Sequence, residues 1–349
     1  MKLVFIITML GRSAFATTLL NHTQHSPTNV TSYPTSVGHA VSDLSRTLKF
    51  YHDLLGLEIL SQDSTPKVDH AYGQLTASNA VAYKTGILAI PNQSWTLKLT
   101  QYIGDNITQV VKQREQDPGA PGLTLSVKNA TQVNNALRGA NATTLNGQPV
   151  PEGTGEGTTS TVWVYDPDGY MVELVQRSGP SDYFTVSAPN ITNGPGMKYV
   201  IRGQLDLTMA NVSQALSFYR DILGQNLSAG YEPLVGPNEH AEVGGIGSVF
   251  NISSNVLWAA VTGNCDLDTR CEYFEYDDPT RRTIAYPAQV PGIGMTTYSV
   301  RNLNKLLRQV RSANLTVVTK GGSPVHIDGG SSILIRDPTG YLVRLDEKC

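Results

Sequence analysis

Two segments of one pattern end on the residues most able to do chemistry. Residues 164–174 read VYDPDGYMVEL and residues 335–345 read IRDPTGYLVRL, so the place of Glu173 in the first is taken by Arg344 in the second. A carboxylate on such a strand can take a proton as a general base. A guanidinium cannot, because it stays charged at any working pH. Each residue also has a plain structural role open to it, as a solvated strand-end charge or as half of an internal ion pair. Other chemistries find no support: GxSxG, P-loop, GxGxxG, CxxC and HExxH patterns do not occur.

The pattern around these residues is duplicated. Residues 41–57 read VSDLSRTLKFYHDLLGL and residues 209–224 read MANVSQALSFYRDILG. Phe50 and Phe218 are 168 positions apart (218 − 50), and Glu173 and Arg344 are 171 apart (344 − 173). A period that steady across two motifs marks an internal repeat.

Each repeat divides again. SVGHAV alternates as a strand does. Asp43 can cap a helix. Leu44, Leu48, Tyr51 and Leu55 then share one helical face, and Gly56 is a stop. Strand-like runs follow near 57–60, 81–90 and 95–102. After the turn at 118–122 the order restarts with LTLSV, a cap at Asn129, a helix over 133–137, and strands near 143–145, 161–165 and 170–176. The second repeat shows the same βαβββ order twice, with Asn211 as a cap. The chain therefore holds four βαβββ units. Asp166–Gly169 and Asp337–Gly340 read as hairpin turns. GTGEG at Gly153–Gly157 precedes a strand, not a helix, and reads as a flexible lip.

Composition bounds the rest. The 349 residues suit two domains, 40% hydrophobic content suffices for cores, and a net charge of −3 with no basic stripe gives no reason to expect nucleic acid. Lys2, the apolar run Leu3–Leu10 and the small residues ending Ala14-Phe15-Ala16 read as a signal peptide cleaved after Ala16. That run is too short to span a bilayer, and no membrane partner is expected. Eleven N-x-[ST] triplets suit a glycosylated secreted protein. Asn129 and Asn211 have the rival role of helix caps. Among Cys265, Cys271 and Cys349, the first two could close a small loop, and pairings with Cys349 stay open. The layout expected is signal peptide 1–16, flexible leader 17–34, domain 35–178, linker 179–197 and domain 198–349.

The strand, the V-x-[DN] cap, the FY.D.LG helix and the closing DPxGxxxEL hairpin together resemble the vicinal oxygen chelate superfamily, which includes glyoxalase I, bleomycin-resistance proteins and extradiol dioxygenases. The resemblance implies an α+β fold of two tandem glyoxalase-like domains, each of two paired βαβββ units whose curved sheets surround a cleft. It also implies up to four metal ligands per cleft, two on first strands and two on last strands. With the units of each repeat paired together, the first domain offers Ser36, Lys98, Gly122 and Glu173 at those positions. The second offers Gln204, Glu272, Met295 and Arg344. A catalytic zinc takes three protein ligands, and neither set supplies three. A unit charge ~4 Å away at an effective dielectric of ~20 is worth roughly 4 kcal/mol, and about twice that against a divalent ion. Lys98 or Arg344 in the cleft would therefore repel a metal. Gln204 with Glu272 is the residual metal site, with His240 or His326 as possible helpers. His39 sits three residues after Ser36, so its parity turns it toward the helices; His52 and His70 read as surface or loop residues.

Three functions compete. The first is a secreted, metal-independent enzyme of isomerase, cyclase or lyase type acting on a small molecule. Its catalytic groups would be Glu173 as base, Lys98 holding an anionic or enolate-like group nearby, and Arg344. The second is a binding protein that sequesters a small molecule, its pockets lined by Trp95, Trp163 and Trp258. The third, a metal-dependent lyase or dioxygenase, is disfavoured by the substituted ligand positions. The cofactor expected is none, or a divalent metal at the residual site. Oligomeric state is not legible.

Overall fold

The computed structural model describes residues 32–79, 82–104, 109–152, 159–177, 199–225, 227–228, 249–250, 256–264 and 269–348. The expected signal segment 1–16, residues 17–31 of the expected leader, the linker 179–197, residues 153–157, His240, Cys265 and Cys349 lie outside them.

Each repeat supplies two βαβββ units. The first unit comprises β1 (Tyr33–Ala40), helix α1 (Leu44–Lys49), β2 (Ile59–Gln62), β3 (Lys67–Val68), helix α2 (His70–Leu75), β4 (Ala82–Ala89) and β5 (Thr96–Ile103). The second comprises β6 (Pro121–Val127), α3 (Ala130–Gly139), β7 (Thr143–Thr144), β8 (Val150–Glu152), β9 (Thr159–Tyr165) and β10 (Met171–Arg177). The third comprises β11 (Val200–Thr208), α4 (Val212–Leu216), β12 (Leu227–Ser228), β13 (Val256–Asn264) and β14 (Thr269–Tyr276). The fourth comprises β15 (Gly294–Ser299), α5 (Leu303–Ser312), β16 (Val325–Ile327), β17 (Gly330–Arg336) and β18 (Leu342–Lys348). The leader is shorter than its composition suggests, because Tyr33 already pairs with Ser299 and Ser32 is buried with its hydroxyl on the Leu223 carbonyl.

The helices start where the caps place them. Asp43, Asn129, Asn211 and Asn302 each accept a hydrogen bond from the backbone N–H three residues on. Both FY helices then widen into a π-turn: Leu55 N–H donates to the Phe50 carbonyl and Leu223 N–H to the Phe218 carbonyl.

The sheets divide the chain differently from the repeat. One sheet joins the first and fourth units across the antiparallel pair β1–β15. The other joins the second and third units across β6–β11. Contacts within a repeat run from helix to hairpin turn. Tyr51 donates to Asp166 Oδ2 (3.2 Å) and Thr47 to Asp168 Oδ2 (2.5 Å), while Tyr219 donates to Asp337 Oδ2 (2.9 Å). These contacts tie each repeat's first helix to its closing turn, while its first strands pair across repeats. Helices α1, α3, α4 and α5 and the helix-side faces of both sheets form one continuous core that includes Leu44, Tyr51, Leu125, Leu207, Leu306 and Leu345. Trp95 is buried in that core rather than in a cleft.

Candidate functional site in the cleft of the second and third units

The crossed pairing re-sorts the eight positions at which this type of fold can place ligands. The concave face of the first–fourth sheet collects Ser36, Lys98, Met295 and Arg344. The concave face of the second–third sheet collects Gly122, Glu173, Gln204 and Glu272.

In the second–third sheet, register sets the geometry. Residues directly opposite in a ladder share a face. Trp163, Glu173, Thr124 and Gln204 are opposite one another in turn across β9, β10, β6 and β11. The neighbouring row holds Gly122, Asp206 and Glu272 across β6, β11 and β14. Glu173, Gln204, Asp206, Glu272 and Thr124 are all buried. The Thr124 hydroxyl lies 2.6 Å from Glu173 Oε2 and also contacts Asp206 Oδ2. Gln204 Nε2 donates to Asp206 Oδ1 at 3.0 Å. Trp163, Met171, Phe274 and Tyr276 form an apolar wall, with Phe250 edge-on to Trp163 at 5.8 Å. The segment before β6 lines one side: Tyr276 donates to Glu115 Oε1 (2.8 Å), and Thr208 to the Glu115 carbonyl (2.5 Å). Oxygen-bearing side chains thus lie side by side on this face with aromatic rings around them.

The first–fourth cleft is filled. Helix α2, a feature that the sequence pattern does not announce, lays Tyr72 and Leu75 against Val325, Ile327 and Leu334. Tyr72 stacks on Tyr83 at 4.0 Å and on Tyr102 at 6.0 Å. Lys98 Nζ sits 5.9 Å from the centre of the Tyr72 ring. Arg344 is buried against Asp346 Oδ1 (2.7 Å), Asp328 Oδ2 (3.2 Å) and Ser332 Oγ (3.2 Å). Burial works against its charge, but Asp346, Tyr72 and Asp328 together offset this and hold the guanidinium pKa above its ordinary value. The recess left beside Ser36, Lys98, Thr100 and Thr297 has room for little more than a water molecule.

Three sequence expectations change. Lys98 and Glu173 belong to different sheets, so Lys98 is not near a group bound at Glu173. Arg344 is an internal ion-pair residue, the structural one of its two readings. The count of too few ligands assumed pairing within each repeat; with crossed pairing, Glu173, Gln204 and Glu272 share one face, and neither Lys98 nor Arg344 is on it. His326 is exposed on β16 of the other sheet and cannot assist Gln204 and Glu272. His39 faces the helices as its parity requires, buried 2.6 Å from Asp166 Oδ2 and stacked on Tyr170 at 4.1 Å. His52 binds the Leu57 carbonyl, and His70 is exposed at the start of α2. Cys271 is buried on β14. Sequence reasoning missed Asp206 and Thr124. The signal was available: each lies two residues beyond a first-strand position and so on the same face.

Glu173, Gln204 and Glu272 place oxygen-bearing side chains on one sheet face, the donor type that a hard divalent cation takes. Among the described residues no three His, Cys, Asp or Glu side chains are gathered as a metal site.

Comparison with known proteins agrees with this architecture. Residues 35–174 match the family model of the Glyoxalase/Bleomycin resistance protein/Dioxygenase superfamily. A probable lactoylglutathione lyase from Synechocystis sp. is 28% identical over 142 residues, 41% of this chain and 93% of that protein. Glyoxalase I from Zea mays has a TM-score of 0.56 at 17% identity, covering 91% of this chain and 93% of its own. A putative dioxygenase from Bacillus subtilis has a TM-score of 0.53 at 11% identity, covering 92% and 86%. At such identities the solved structures speak for the fold alone. Residues 35–174 are thus similar in sequence to the glyoxalase, bleomycin-resistance and dioxygenase proteins, and the chain shares the fold of glyoxalase I along most of its length.

Proposed function

We propose that this protein is a secreted lyase or isomerase that works on a small molecule in the cleft of the second and third units, with Glu173 as the proton-transferring base. The observation that carries the reading is the register that puts Glu173, Gln204 and Glu272 on one concave face. Thr124 holds Glu173 Oε2, which orients the carboxylate and leaves Oε1 to take a proton from a carbon next to a carbonyl. Trp163 and Met171 exclude water from one side of the base. Glu173, Gln204 and Glu272 would hold a divalent cation, which when bound supplies Lewis acidity toward a substrate carbonyl. The signal-type segment ending at Ala16 and the N-x-[ST] triplets support secretion.

Lactoylglutathione is the first compound to test, on the strength of the relative's description. Turnover of it by the wild type that Glu173→Gln abolishes, with unchanged circular dichroism, would support the reading. Equal turnover by wild type and Glu173→Gln would overturn it. Binding without turnover in the wild type would favour the second reading, a sequestration protein, for which the aromatic wall is the supporting observation.

A further inference from the structure

Helices α3 and α5 end in the same way. Asn141 N–H donates to the Arg138 carbonyl and Ala142 N–H to that of Leu137; Asn314 N–H donates to Arg311 and Leu315 N–H to Val310. These are the paired bonds of a Schellman turn, which needs a residue in the left-handed region. Asn141 and Asn314 take that conformation at φ 56° and 55°. After the two FY helices the matching residues are Gly56 and Gly224, at φ 86° and 69°. Glycine adopts this conformation with the least strain, so the turn alone does not call for asparagine.

Asparagine adds an acceptor amide. Asn141-Ala142-Thr143 and Asn314-Leu315-Thr316 are both N-x-T triplets. In each, the asparagine and the threonine are exposed, while the residue between them packs against the core. Among the described residues neither amide side chain has a hydrogen-bond partner. Asn92 is the contrast. It also has a positive φ and opens an N-x-S triplet, but its Nδ2 donates to the Ile201 carbonyl on β11 at 2.9 Å. A glycan on that nitrogen would crowd β11.

We infer that Asn141 and Asn314 are the paired N-glycan attachment sites of this protein, one per repeat, and that Asn92 stays bare. The inference rests on the secretion reading given above. In the transfer, Asn Nδ2 bonds to the anomeric carbon of an N-acetylhexosamine carried on a lipid diphosphate. The carbon–oxygen bond to the diphosphate breaks, the diphosphate leaves with the electron pair, and Nδ2 gives up one proton. The exposed helix end then carries the bulky, solubilising group without displacing a core side chain.

The test is peptide mass spectrometry on the full chain recovered from a eukaryotic secretory host. Enzymatic removal of N-glycans in heavy-oxygen water turns each carrier Asn into a labelled Asp. The chain is made with its own N-terminus and, separately, with residues 1–16 replaced by a leader of established secretion. Label at Asn141 and Asn314, and none at Asn92, is expected in both preparations. That pattern behind the borrowed leader alone would keep the two sites and overturn the secretion reading. Protein from the borrowed leader that lacks label at Asn141 and Asn314, or carries it at Asn92, would overturn the inference. The Asn141→Gly, Asn314→Gly double variant keeps the left-handed turns. It is expected to migrate faster on denaturing gels with unchanged circular dichroism, and unchanged mobility would also overturn the inference.

Discussion

Tyr219 donates its hydroxyl proton to Asp337 at 2.9 Å, and both groups are fully buried. The same contact joins Tyr51 to Asp166 in the other repeat. The FY helix and the DPxG turn are thus the two ends of one clamp, made once per repeat, which is why both motifs recur with nearly the same period. Tyr219→Phe leaves the carboxylate short of one donor and should cost about 1–3 kcal/mol of unfolding free energy, measurable by urea denaturation. A cost indistinguishable from zero would mean that the clamp contributes shape alone.

The clamp has a pH signature. Burial raises the Asp337 pKa to about 6, against hydrogen bonds from Tyr219, Tyr341, Thr339 and Gly340 that pull it down. The folded value lies above the unfolded one, so the folded state binds the proton more tightly. Stability from this group is therefore fullest below about pH 4 and declines as pH rises through about 6, by about 3 kcal/mol in all. Asp337→Asn should remove that slope, since an amide keeps the acceptor oxygen and does not titrate. Matching pH profiles for variant and wild type would contradict the assignment.

The two clefts should respond differently to loss of a cation. Lys98→Ala should leave Mn²⁺ affinity unchanged, because Lys98 faces Tyr72 in the other sheet. Arg344→Met should also spare Mn²⁺ binding. It should, however, lower stability by about 2 kcal/mol, because Asp346 and Ser332 lose a charged partner. A large change in Mn²⁺ affinity in either variant would argue that the clefts communicate.

Gly122 offers a gain-of-function check. The contact distance to Asp206 leaves room for a side chain, so Gly122→His should add a fourth ligand and tighten Zn²⁺ binding by about tenfold or more, read by competition with a chromogenic chelator. Unchanged Zn²⁺ affinity would mean that position 122 does not face the cation.

Much of the architecture is legible in the sequence because local rules govern it. Asp43, Asn129 and Asn211 announce helix starts through short side chains that bond their own backbone, and those caps form. The four units follow from the repeat and from alternation. What the sequence does not carry is which first strands share hydrogen bonds. Any two antiparallel strands of matching length can pair, and here β1 takes β15 as its partner rather than β6. That one topological fact decides the site: it separates Lys98 from Glu173 and brings Glu173 to Gln204. Helix α2 was hidden for a different reason. It is six residues long, and its burial comes from filling a cleft, not from a periodic apolar face.

The central claim is that crossed pairing builds one working cleft from Glu173, Gln204 and Glu272. Anomalous X-ray diffraction from crystals of the full chain grown with Mn²⁺ tests it most directly. The account predicts a single strong peak bounded by oxygens of those three residues, with Asp206 still bonded to Gln204 behind them. A peak in the cleft of the first and fourth units, or none on the second–third sheet, would contradict it.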